Sequence, residues 1–77
     1  MAPGRMRVEL VRIRREIRRA ADGHREAKAI LDQASRDHQR VMRELATVKN
    51  KNLRQELLEL AAKVQEEGRL TRQASRS

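Results

Sequence analysis

The side chains of this chain with chemistry to offer are two histidines, His24 and His38, and a concentration of arginines at Arg5, Arg12, Arg14, Arg15, Arg18 and Arg19. The histidines are fourteen residues apart, about 21 Å along one straight helix at 1.5 Å per residue, so they cannot share a metal within it. Neither has an evident carboxylate partner in the pattern. Both read as packed polar residues that set register rather than as ligands. Burial would favour the neutral imidazole, and acid would then place charge among apolar neighbours. No nucleophile–base pair, glycine-rich phosphate loop or metal-ligand spacing occurs. The chain is therefore read as non-enzymatic, with no catalytic, metal or cofactor-binding residue assigned.

The arginines point to binding. Residues 1–19 hold seven Arg against two Glu, and guanidinium suits bidentate contact with carboxylate or phosphate. On a helical wheel Met6, Leu10, Ile13, Ile17, Ala20 and Ala21 share one side. Arg5, Arg12, Arg15 and Arg19 take one edge of the other side, and Arg7, Arg14 and Arg18 take the second. Like charges four residues apart, Arg14 with Arg18 and Arg15 with Arg19, oppose the helix mildly. Such a face is either solvated or an electrostatic footprint for phosphate or for an acidic protein. The chain has no Phe, Tyr or Trp and no Cys, so neither base stacking nor a zinc motif accompanies it.

The elements that must position these residues are helices. Leu10, Ile13, Ile17, Ala20, His24, Ala27, Leu31, Ala34, His38, Val41, Leu45 and Val48 recur at alternating steps of three and four, the requirement for a seam against another helix. The segment Lys49-Asn50-Lys51-Asn52 interrupts this phase. Leu53, Leu57, Leu60 and Val64 begin a second stripe, with Asn52 and Gln55 resembling a capping box and Gly68 a stop. Leu58 lies off that stripe and reads as a singly exposed leucine.

The fold expected is all-α: a long heptad helix over about 5–48 followed by a short helix over about 53–67, in a coiled-coil or helical-bundle oligomer. The alternative is a three-helix bundle (5–21, 24–49, 53–67) with a turn at Asp22-Gly23. Asp-Gly is a frequent turn pair and glycine costs a helix roughly 1 kcal/mol. Yet the heptad phase passes through 20, 24 and 27 undisturbed, which favours the continuous helix. Residues 1–4 read as a disordered start, 5–67 as one helical domain and 68–77 as a disordered basic tail.

At 77 residues, with 10 of its 29 hydrophobic residues alanine, the chain has little apolar volume for a core of its own, so a partner or a second copy is expected. An antiparallel dimer centred near residue 29 sets each histidine against an alanine. A hairpin centred on residue 22 would pair the same stripe within one chain, the two forms being related by domain swapping. No apolar run exceeds three residues, which argues against a membrane span or signal peptide and for an intracellular, cytoplasmic or nuclear, protein. Membrane binding is disfavoured by the lack of aromatic anchors. The function expected is a non-enzymatic helical protein–protein interaction module or small structural or adaptor subunit acting through the seam. The alternative is a small basic nucleic-acid-binding protein contacting phosphates through the N-terminal Arg face.

Overall fold

The computed structural model describes the backbone of residues 2–76 and the side chains of residues 2–74. Three α-helices make up the described chain: α1 (Pro3–Ala21), α2 (Ala27–Leu45) and α3 (Lys51–Arg76). They pack as an up-down-up bundle measuring 41 × 17 × 15 Å. The three-helix arrangement therefore holds, and the continuous helix over 5–48 does not. Chain direction follows from the ion pairs. Arg12 reaches Asp37 and Arg40 reaches Glu9, which sets α1 antiparallel to α2. Arg7 with Glu56 and Arg14 with Glu67 set α1 parallel to α3.

Helix α1 starts on Pro3, whose fixed φ suits the first turn and whose missing N–H has no intrahelical partner to lose. The Met6 N–H bonds the Ala2 carbonyl at 3.0 Å, so residues 2–4 are ordered as helix entry rather than loose; Met1 lies outside the described residues. The helix ends at Asp22-Gly23. The Asp22 N–H returns to the Arg18 carbonyl at 3.1 Å and the Gly23 N–H to that of Ala20 at 3.2 Å. Gly23 has φ 85°, a left-handed conformation that an L side chain adopts only at a cost. Arg18 and Arg19 occupy the last turn, where cations oppose the partial negative charge of the exposed carbonyls.

His24 organises the start of α2. Its Nδ1 accepts the Glu26 N–H at 3.0 Å while its carbonyl accepts the Ala27 N–H at 3.0 Å. The side chain thus closes the turn that leads into α2, whose N-cap residue Glu26 makes no side-chain capping bond, and leaves the heptad seam. Between α2 and α3, the Thr47 hydroxyl donates to the Glu44 carbonyl at 2.6 Å. The Asn50 side chain accepts the Leu53 N–H at 3.0 Å. The capping residue is therefore Asn50, two positions before the Asn52 that the sequence suggested.

The core collects Met6, Leu10, Ile13, Ile17 and Ala20 from α1, Leu31, Ala34, Val41 and Leu45 from α2, Val48 from the second turn, and Leu57, Ala61 and Val64 from α3. All are buried from solvent. Leu58 packs against this cluster with Leu53 and Leu60, so it is a core flank rather than a lone surface leucine. Gly68 does not stop α3. Ser77 lies outside the described residues, and the helix runs on to Arg76 in place of the disordered basic tail expected from residue 68. The reason is packing: a Cβ built on Gly68 would lie 3.4 Å from Ile17 Cδ1. That is contact distance to a side-chain tip, and the glycine sits inside a continuing helix that packs on α1 rather than ending one. Beyond it, the Thr71 hydroxyl bonds the Glu67 carbonyl of the preceding turn at 2.8 Å, and Arg72 reaches Asp32 at 2.8 Å, tying this part of α3 to α2.

Candidate functional site

Ten of the twelve stripe positions, Leu10, Ile13, Ile17, Ala20, Leu31, Ala34, His38, Val41, Leu45 and Val48, are buried inside the single chain. His24 and Ala27 are half-buried at the turn. The seam read from the sequence is thus covered by the chain's own α3, and in this form it is not a surface for a partner. The hairpin register also differs from both centres read from the sequence. The Arg12–Asp37 and Glu9–Arg40 pairs are each symmetric about the His24–Arg25 bond, between the centres at residues 22 and 29, because five residues are spent on the turn.

The two histidines have separate surroundings. His38 is 9 % exposed, and its Nε2 lies 2.8 Å from the Ala61 carbonyl, which can only accept, so the proton is on Nε2. His24 presents Nδ1 to the Glu26 N–H, while its Nε2 lies 3.1 Å from Arg19 Nη2. Both neighbours are donors, and a neutral imidazole has one acceptor nitrogen to give. Among the described residues no group of three or more His, Cys, Asp or Glu could hold a metal ion. No described helix is long and apolar enough to cross a membrane.

The arginines divide into tied and open ones. Arg12 donates to Glu9 at 2.9 Å and to Asp37 at 3.0 Å. Asp37 is 7 % exposed and also accepts from Gln33 at 3.0 Å. Burial pushes the Asp37 carboxyl up, but the hydrogen bonds from Arg12 and Gln33 and the charges of Arg12 and Arg40 outweigh it and hold the pKa below its ordinary value. Glu9 is lowered too, by its hydrogen bond from Arg12 against a smaller desolvation effect. On the other flank, Arg14 donates from Nε to Glu67 Oε1 at 2.9 Å, and Arg18 approaches the same oxygen at 3.6 Å. Together they keep Glu67 ionised below the usual carboxylate range, the Arg14 hydrogen bond leading and desolvation opposing. Arg19 meets Glu16 at 3.3 Å.

Arg5 and Arg15 are exposed and make no ion pair with a described acidic residue. Of the six arginines the sequence singled out, Arg12 and Arg14 therefore cross-brace the bundle and Arg18 and Arg19 are partly neutralised. Arg5 and Arg15 stand exposed on the outer face without such a pairing among the described residues.

One feature of this face was not legible in the charge pattern. Val8 is 65 % exposed and Val11 39 % exposed on α1. They fall on the row Val8, Val11, Arg15, Arg18, whose steps of three and four place it on one side of the helix, and every member is exposed. Arg5, Arg12 and Arg19 flank this row at intervals of seven. The result is a short apolar strip at the amino-terminal end of the outer face, bordered and continued by guanidinium groups. Two β-branched residues out of phase with the core stripe were the available signal.

A second concavity, a cleft of about 270 Å³ between α2 and α3, is floored by Ile13, Ile17, Leu31, Ala34 and Val64. Small residues at Ala34 and Gly68 leave this space. Its floor is almost wholly shielded from solvent, and the Arg72–Asp32 pair crosses between the two helices at that end.

Comparison with known proteins returned no matching family model, no matching curated protein and no matching solved structure.

Proposed function

We propose that the chain is a non-enzymatic helical interaction module that docks an acidic protein through the outer face of α1. The observation that carries this reading is the exposure of Val8 and Val11 beside Arg15 and Arg18, with Arg5 close by in sequence. Protein interfaces combine an apolar centre with arginine at its margin. A phosphate polymer makes use of the arginines and has little use for the valines. Helix α1 carries a charge of +5 between Pro3 and Ala21, and ion pairs join it to α2 and α3 behind the face.

Nucleic-acid binding is the competing reading, supported by the formal charge of +8. Both are tested by one set of captures from the native lysate, using the unaltered chain, Val8→Glu and Arg15→Glu, each with and without nuclease. A protein species that survives nuclease and is lost with Val8→Glu as well as with Arg15→Glu supports the proposal. Material that vanishes with nuclease, is indifferent to Val8→Glu and weakens with Arg15→Glu supports a phosphate ligand instead. In that case, changing Arg12, Arg15 and Arg19 together to Gln would flatten the slope of log K against log salt on duplex DNA by about 3, at roughly 0.9 per contact.

A further inference from the structure

The heptad phase of α1 continues through the turn into α2 although the bundle makes no use of it. Steps of 17, 20, 24, 27 and 31 are those of one uninterrupted helix, whereas two helices joined by a turn are free to adopt any phase offset. The two stripe residues left half-buried in the single chain, His24 and Ala27, are those at the break. The break itself rests on Gly23 at φ 85° and a five-residue connection. Ala20, Ala21, Arg25, Glu26 and Ala27 around it are compatible with a helix.

We propose that the chain exchanges α1 with a second copy of itself. Residues 22–26 straighten, giving one helix from Pro3 to Leu45, and two such helices lie antiparallel. The Arg12–Asp37 and Glu9–Arg40 pairs, symmetric about the His24–Arg25 bond, then re-form between copies with that bond at the two-fold axis. Each α1 packs on the α2 and α3 of the other copy, so Arg7 with Glu56 and Arg14 with Glu67 also become interchain pairs. Nothing in the core changes partner type. What is gained is a continuous seam through the axis, with His24 of each copy beside it and Ala27 of each copy about one turn further out. The outer face of α1 stays exposed and is presented twice. Short connections of this kind are where exchange is observed, because opening one costs few contacts and every closed contact is recovered.

The test uses the full chain, unfolded and refolded at about 1 mM and then sized by light scattering. The unaltered protein is expected to show a dimer that persists on dilution for longer than an ordinary encounter complex. Gly23→Ala is expected to lower the dimer dissociation constant by about 100-fold or more, since each copy escapes the left-handed conformation and gains helix propensity. Three glycines inserted after Gly23 should do the reverse and leave monomer only.

Exchange is read directly in this cysteine-free chain. Glu9→Cys and Arg40→Cys, on separate molecules refolded together, should be joined by a short bismaleimide in the dimer fraction. The same two proteins mixed after folding should not. A folded Gly23→Ala that stays monomeric at 1 mM overturns the proposal, as does a dimer fraction in which the Glu9→Cys and Arg40→Cys chains do not join. If Gly23→Ala fails to fold, the decision passes to the glycine insertion, and a wild-type dimer undiminished by it, or no wild-type dimer at all, is equally contrary.

Discussion

Asp37 shows how one carboxylate decides what a basic surface can do. It is almost fully covered, yet ionised, because Arg12 and Gln33 bond its two oxygens. A guanidinium so held is part of the scaffold and not a hand for a ligand. Asp37, Glu9 and Glu67 all have folded pKa values below their ordinary ones, so as pH falls the unfolded chain takes up protons first. Their contribution to stability is fully present above the ordinary carboxylate range, about pH 4, and is lost as pH drops through the folded values. Urea unfolding at a series of pH values should therefore show a flat plateau near neutrality and a decline below about pH 4. Asp37→Asn should cost about 1 kcal/mol at pH 7, since Arg12 regains water but loses a charged acceptor, and should shrink the acid decline. An identical acid profile in the variant would remove this pair from the energetics. Nothing in the arginine spacing foretold which arginines are tied; an acidic residue directly beside a seam histidine, Asp37 before His38, was the legible hint.

At the scale of elements, the apolar stripes and the turn at Asp22-Gly23 were readable, while the start of α2 and the end of α3 were not. Periodicity placed Leu10 to Val48 on one face and Leu53 to Val64 on another, and the core is built from those residues. Phase, however, says nothing about continuity: a stripe that could serve one long helix serves two when a glycine pivots between them. Gly23 and Gly68 look alike in sequence and behave oppositely, one adopting positive φ and the other sitting inside α3 against Ile17. Only the packing partner distinguishes them. Gly68→Ala should stabilise the protein by about 0.5–1 kcal/mol, because the new methyl meets Ile17 at contact distance and the helix gains propensity. That corresponds to a rise of roughly 3–6 °C in Tm for a chain of this size. A fall in Tm would mean that Ile17 cannot yield and that α3 approaches α1 more tightly than the geometry gives.

For the whole molecule, a thin apolar inventory suggested a second chain; within the single chain the stripe is covered by a third helix that runs eight residues past Gly68. The sequence could not show this, since the residues after Gly68 lack a clear stripe and are joined to α2 through the Arg72–Asp32 pair. Closing the stripe within one chain moves the working surface from the seam to the outside of α1. Small-angle X-ray scattering on a dilution series of native, never-refolded protein tests it most directly. At the lowest concentration the forward scattering should give the mass of one chain, 9.0 kDa. The radius of gyration should approach the backbone value of 12.8 Å, allowing for side chains and hydration. A particle with a maximum dimension beyond about 65 Å, the length of an unbroken helix over 5–48 at 1.5 Å per residue, or one that keeps the mass of two chains at every dilution, would contradict the account.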